Sequence, residues 1–321
     1  MNQLKKVNAP APDRELLAYV VFVRSVGGRS KMKYFSMFSG VGGFELGLDD
    51  HDCIGFSEKD TYAIQTYKQH FTKVKNYGDA TKINTRELPD FDLLCGGFPC
   101  QAFSVAGKRE GFKDTRGTLF FEITRVAQAK RPTYILLENV KGLLNHEKGR
   151  TFTKIIQTLD ELGYDYQWMV LNSKFFGVPQ TRERVFIIAN IRGTSRPEIL
   201  PFRQGSSKPS QELNKKTEAS QPLVATYWKG GKGTHIQRVP LKFLERNQRK
   251  ISGDYAYTID SANTGGVIDL KGTRRFTPLE CERLQGFPDN WSNICSDTQR
   301  YIQMGNAVTV NVIKAIAERL T

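Results

Sequence analysis

No uninterrupted apolar run in these 321 residues approaches the ~20 that a helix needs to cross a bilayer. The longest stretch near the start, Leu16 to Val23, runs at once into Arg24, Gly27 and Gly28 and carries no small-residue cleavage pattern, so no secretory leader is expected. Cysteine is scarce as well. The five, at 53, 95, 100, 281 and 295, form no CxxC pair and have no histidine at metal-ligand spacing. A structural metal is therefore not expected. An odd count without a leader predicts reduced thiols in a cytoplasm. There is no internal repeat and no low-complexity tract, which excludes a solenoid or a disordered tail. Acidic charge is in short supply: 33 Asp and Glu against 47 Lys and Arg leave a net charge of +14. A chain this basic is attracted to polyanions, of which nucleic acid is the commonest, although charge alone does not exclude an ordinary basic surface.

What is present is enough apolar material for a packed core, 39% hydrophobic and 11% aromatic. Residues 1–31, with Pro10, Pro12 and six basic side chains, read as an extension in which a helix from about Asp13 to Val20 is expected. From Lys33 short apolar runs alternate with helical stretches. Strands are expected at Tyr34–Phe38, Cys53–Phe56, Phe91–Cys95, Tyr134–Leu137, Tyr166–Leu171 and Val185–Ala189. Helices are expected to about Leu48, over Thr61–His70 and Phe120–Ala129, and over Thr151–Leu162, where Ile155, Ile156 and Leu159 share a face. This alternation predicts an α/β fold with a doubly wound, mostly parallel sheet. Residues 193–272 lose that periodicity and hold 13 Lys and Arg against 7 Asp and Glu. Seven of the basic residues fall between Tyr227 and Lys250, interleaved with aromatics, so a smaller, loop-rich, basic module is expected there. Order returns with expected helices at Pro278–Leu284 and Val308–Leu320.

Four short motifs carry candidate chemistry, and all four adjoin strands. Phe38-Ser39-Gly40-Val41-Gly42-Gly43 links a strand to a helix, where glycine allows a tight turn and close approach to a ligand. Glu58 ends the next strand and can accept from a ribose diol, which points to an adenosine-containing cofactor. Asp79 is either a simple N-cap before Ala80 or an acceptor for an adenine amino group. Gly97-Phe98-Pro99-Cys100-Gln101 ends another strand, and the glycine-rich, charged stretch 104–117 after it reads as a loop able to close over substrate. A lone Pro-Cys is more often structural. Glu138-Asn139-Val140 offers a carboxyl for acid catalysis, or merely a cap or surface charge. Gln180-Thr181-Arg182-Glu183-Arg184 offers guanidinium donors for a carbonyl oxygen, or an ordinary ion pair.

Taken in order, these motifs resemble those of the DNA cytosine-5 methyltransferase family. The resemblance runs from about Lys33 to the C-terminus, and includes Arg275 to Pro288 and Gln303-Met-Gly-Asn-Ala-Val308. It implies transfer of a methyl group from S-adenosylmethionine, leaving S-adenosylhomocysteine, to C5 of a cytosine flipped out of duplex DNA. It implies Cys100 as the nucleophile at C6, Glu138 at N3 and the exocyclic amine, and Arg184 with Arg182 at O2. For the cofactor it implies the turn from Phe38 to Gly43, Glu58 with Lys59, Asp79 with Ala80, and Pro99, Leu119, Asn306 and Ala307. For DNA it implies Gln101, Ser104 and Thr258, with Lys229, Lys232, Arg238, Arg246 and Arg249 as unsorted phosphate or base contacts. The implied organisation is an extension (1–31), a catalytic and cofactor domain (32–192), a target-recognition domain (193–272) and a returning segment (273–321). A monomer acting beside a separate restriction endonuclease, with no membrane partner, is expected. Some relatives stack a Trp on adenine where this chain has Lys59, so another group must cover that ring. Three alternatives remain open on the motifs alone: a tRNA-modifying relative, a non-catalytic DNA-binding relative and a nicotinamide oxidoreductase, the last resting only on the glycine turn.

Overall fold

The computed structural model describes residues 31–99, 119–194, 199–200, 242–244, 251–252, 255–261, 265–269 and 272–320. The expected helix at Asp13–Val20 lies outside the described residues, as do Cys100, Gln101, Ser104, Lys229, Lys232, Arg238, Arg246 and Arg249.

The first half of the chain lays down β1 (Lys33–Met37), α1 (Gly43–Gly47), β2 (Asp52–Ser57), α2 (Thr61–His70), β3 (Leu93–Gly97), α3 (Leu119–Lys130) and β4 (Tyr134–Val140). Then follow α4 (Arg150–Glu161), β5 (Tyr164–Asn172), the short β6 (Gln180–Thr181) and β7 (Glu183–Ile191). The central sheet has six strands in the order β2-β1-β3-β4-β7-β5. Its strands read as nearly continuous apolar runs because both faces are covered. In β7, Val185, Ile187 and Ala189 face one core with helices α3 and α4, while Phe186 and Ile188 face the other. That second core is closed by Phe44 and Leu48 after the glycine turn and by Ile313 and Ile316 of the last helix. The expected doubly wound, mostly parallel sheet is therefore present.

One strand direction differs from simple alternation. The pairs β2–β1, β1–β3 and β3–β4 are parallel, but β7 runs antiparallel to both β4 and β5. Between β5 and β7 stand only a single 3-10 turn at Ser173–Phe176 and the short β6, and no α-helix, so nothing forces a parallel crossover there. The consequence is functional: β7 begins, rather than ends, at the edge where β4 ends.

The rest of the chain forms β8 (Lys242–Leu244), β9 (Ile251–Ser252), β10 (Ala256–Tyr257), β11 (Gly266–Asp269) and β12 (Gly272–Arg275), then α5 (Pro278–Leu284), α6 (Asp297–Asn306) and α7 (Val310–Leu320). Among the described residues of the basic region, β12-β11-β8-β9 make a small antiparallel sheet, more regular than the expected loops. β10 leaves it to pair with β6, and Ala256 and Ile259 enter a third core with α5, α6 and Trp291. Helix α5 starts at a capping box between Thr277 and Glu280 with Pro278 in its first turn. Helix α6 is not expected from the sequence. Its run Asp-Thr-Gln-Arg-Tyr-Ile-Gln-Met-Gly-Asn has few apolar positions, because several of its side chains face a cavity rather than a core.

Candidate active site

A cavity of about 420 Å³ opens beyond the carboxyl ends of β1 to β4. That edge is where open α/β sheets bind ligands, and the volume is typical of a small-molecule site. Its wall carries Phe38, Gly40 and Val41 from the first turn, Glu58 and Lys59 from the second, and Asp79 and Ala80 beyond it. Pro99, Leu119, Glu138, Arg182, Arg184, Asn306 and Ala307, also expected, line it too.

The first turn is built by positive φ angles at Phe38 (55°), Gly40 (56°) and Gly42 (93°). A Cβ on Gly40 would meet nothing within 4 Å, so this residue leaves open space. Ser39, Gly42 and Gly43, expected on the cofactor, sit behind the wall instead. Ser39 is buried and bonds the Ser36 carbonyl. Cβ atoms on Gly42 and Gly43 would come to 2.6 Å from Phe71 and 2.8 Å from Val308, so these two glycines serve packing. Glu58 ties the turns together. Its Oε2 accepts from Gly40 N at 2.9 Å, and its Oε1 accepts from Lys59 N (2.8 Å) and Asp60 N (2.9 Å). Asn76, a residue the sequence did not single out, holds this loop by accepting from Gly78 N and donating to Glu58 O. Asp79 is an N-cap, its Oδ1 accepting from Thr81 N and Oγ1, and it also lines the cavity. Those capping bonds hold its carboxyl below the usual carboxylate range.

At the other end of the cavity Glu138 lies near the end of β4. Gly97 on β3 leaves just enough room for it, since a Cβ there would lie 3.0 Å from Glu138 Oε2. The antiparallel β7 sets Val140 opposite Arg184, so Arg184 Nε lies 3.1 Å from Glu138 Oε1. An all-parallel sheet would have put the start of β7 at the opposite edge. Burial pushes the Glu138 carboxyl above its ordinary range, and the Arg184 and Arg182 charges pull against it. Burial also lowers the guanidinium of Arg184, while Glu138 supports its charge. Asn139 points away from this pair and donates to Phe98 O at 2.8 Å, fixing the turn that leads to residue 100.

Arg182, expected beside Arg184 at a substrate carbonyl, is committed elsewhere. It is 2% exposed. Its Nη1 donates to Ile259 O (3.2 Å), and its Nη2 to Gly305 O (3.1 Å) and Ala307 O (2.9 Å). Helix α6 also supplies wall residues that the sequence did not reveal, among them Gln299, Ile302 and Gln303, the last accepting from Thr66 Oγ1. Trp291 Nε1 donates to Val41 O at 2.8 Å and stacks on His70, so it braces the first turn from below. Thr258 is exposed, off the cavity wall, and donates to Thr181 O at 2.9 Å. Of the four described cysteines none lines the cavity. Burial pushes the Cys53 thiol up to about 12 and those of Cys95 and Cys281 well above their ordinary value.

A doubly wound sheet with a cavity at its carboxyl edge, an acid–arginine pair at one end and a glycine turn with two carboxylates at the other, is the architecture of an enzyme that uses an adenosine-containing cofactor. The comparisons resolve which kind. The sequence model described as C-5 cytosine-specific DNA methylase matches residues 32–321, and the chain belongs to that family. It is 39% identical over 315 residues to the Type II methyltransferase M1.ScrFI of Lactococcus lactis subsp. cremoris, covering 91% of this chain and 78% of the relative. It is 35% identical over 309 residues to the Type II methyltransferase M.HhaI of Haemophilus parahaemolyticus, covering 89% and 93%. Among solved structures, a Spodoptera frugiperda DNMT2 variant superposes with a TM-score of 0.65 at 19% identity, covering 91% of this chain and 99% of that one. A putative DNA modification methyltransferase from an Escherichia coli prophage gives a TM-score of 0.60 at 20% identity, covering 90% and 98%. These two show the fold. The protein is a DNA cytosine-5 methyltransferase.

Proposed function

We propose that this chain methylates cytosine in a specific duplex DNA sequence, acting on a base turned out of the helix and held transiently by the Cys100 sulfur. The observation that carries the reading is the Glu138–Arg184 pair sharing one cavity with the Gly40–Glu58–Asp79 end. That end fits S-adenosylmethionine: Gly40 leaves open space, and Asp79 Oδ1 takes both capping bonds, leaving Oδ2 for a ligand. Phe38, Val41, Lys59, Ala80, Pro99, Leu119, Asn306 and Ala307 would complete the pocket. When bound, the cofactor supplies an electrophilic methyl group on a sulfonium.

The protein's own part begins at C6. Cys100 follows Pro99, a wall residue, directly in the sequence, and no described cysteine lies on that wall. Its thiolate bonds to C6 as Glu138 donates a proton at N3 and Arg184 steadies the charge at O2, making C5 electron-rich. A carboxyl raised by burial suits a donor at N3. After C5 has been alkylated, a base, with water as the simplest, takes the C5 proton, the freed electron pair expels the sulfur as thiolate, and the N3 proton returns to Glu138, restoring the ring. Flipping costs a few kcal/mol, which the loop after Cys100, Thr258 and the basic residues Lys229 to Lys250 would offset. One chain supplies every group named, so a monomer suffices. The naming of the relatives as Type II methyltransferases supports a place beside a separate endonuclease.

Bisulfite sequencing of DNA from cells expressing the chain, with Cys100→Ser as control, tests this reading. Methylated cytosine at one short sequence, lost in the variant, is expected. Methylation of tRNA with none in DNA would overturn it.

A further inference from the structure

Arg182 sits where two distant segments touch. Gly305 packs so closely on the 260–261 backbone that a Cβ would lie 2.5 Å from Ser261 N and 2.6 Å from the Asp260 carbonyl carbon. Across this contact the guanidinium bonds Ile259 O on one side and the Gly305 and Ala307 carbonyls on the other. Ile259 follows Thr258 in the segment that leaves the basic module, whereas Gly305 to Ala307 line the cavity. Ile259 does not need Arg182 merely to stay in place. Gln180 already accepts from Ile259 N at 3.0 Å and donates to Leu284 O at 2.8 Å. What Arg182 adds is the link onward to the cavity wall. As a stabiliser it is a poor choice, since its Nε is buried with no partner among the described residues.

We infer that Arg182 is a positioning residue that couples DNA engagement to cofactor binding. Resting on the functional reading above, the inference assigns it no contact with the reacting base. A duplex that pulls on Thr258 and its neighbours orders Gly305 to Ala307 through Arg182, and a filled cavity orders the DNA-facing segment in return. Such coupling is reciprocal.

The test is the affinity of the unaltered enzyme for S-adenosylhomocysteine, by calorimetry, with and without saturating target duplex. Coupling of the ordinary size predicts roughly 10-fold tighter binding with duplex. Arg182→Met is expected to bring the ratio near one, whatever its own duplex-free affinity, with Arg182→Lys in between. Because emptying a buried site can unfold a variant, hydrogen exchange on the unaltered enzyme gives a second readout. Duplex alone should slow exchange at Gly305 to Ala307. A ratio near one in the unaltered enzyme, a full ratio in Arg182→Met, or unchanged exchange overturns the inference. Methyl transfer measured in parallel separates the two readings: its absence with every DNA counts against the function, whereas normal transfer with no coupling counts only against Arg182.

Discussion

Glu138 and Arg184 show how much one ion pair can set. Burial favours the neutral acid, and the guanidinium 3.1 Å away favours the carboxylate. The raised direction means the acid holds its proton to higher pH than a surface glutamate. On the basic side, single-turnover methylation should therefore fall as pH rises through the Glu138 titration, while the need for a Cys100 thiolate sets the acid limb. Glu138→Gln cannot pass a proton, so it should lower that rate by about 10²–10⁴-fold and flatten the basic limb. A variant that kept the unaltered pH profile would remove Glu138 from the step. At this scale Glu58 and Glu138 were legible because each lies at or near the end of a strand at the ligand edge, and Asp79 because it precedes a short turn that it can cap. Arg182 was not separable from Arg184. The two alternate along one short stretch, and the carbonyls that claim Arg182 lie 77, 123 and 125 residues further on.

Helix α1 and the turn before it carry the next two predictions. Glu45 lies buried in α1, its Oε1 accepting from Tyr67 OH at 3.1 Å, with Tyr34, Ser36, Cys53 and Cys95 around it. Burial pushes its carboxyl from 4.5 up to about 7. A raised acid stabilises the fold fully below its unfolded pKa and loses that contribution as pH rises through the folded one. The loss across that window is on the order of 3 kcal/mol. Glu45→Gln keeps the acceptor for Tyr67, so urea unfolding at rising pH should show a decline for the unaltered chain that the variant lacks. An equal decline in both would assign it to another group. In the turn, Gly42→Ala meets Phe71 at a positive φ and should cost about 1–3 kcal/mol of stability. Gly40→Ala meets nothing and should cost about 1 kcal/mol, yet weaken S-adenosylhomocysteine binding by ~10-fold or more because its methyl group stands in the cavity. Equal binding by Gly40→Ala and the unaltered chain would move the cofactor off this turn. Most strands were legible from apolar runs. Helix α6 was not, because a helix that faces a ligand cavity gives up the apolar stripe that reveals helices. The reversal of β7 was not legible either, since direction leaves no mark in a strand buried on both faces.

At the scale of the molecule, charge and division of labour dominate. A net charge of +14 predicts that duplex affinity falls steeply with salt, with a log–log slope of about −3 or steeper. A slope near zero in a salt titration would exclude a phosphate-dominated interface. Replacing residues 193–272 with the matching segment of a relative should change the sequence methylated while S-adenosylhomocysteine affinity stays within about 3-fold. Among the described residues no helix is long and apolar enough to cross a membrane. The sequence showed the basic region by composition, but not that β10 returns from it to pair with β6 beside Arg182. That pairing joins residues 76 apart, and nothing local in either strand announces it.

The central claim is the bond from sulfur to pyrimidine. A duplex carrying 5-fluorocytosine at the target position, incubated with enzyme and S-adenosylmethionine, should trap a denaturation-resistant complex, because fluorine cannot leave C5 as a proton does. Proteolysis and mass spectrometry should place the adduct on Cys100, and Cys100→Ser should form none. An adduct on any of the other four cysteines, or methylation by Cys100→Ser at the unaltered rate, would contradict the account.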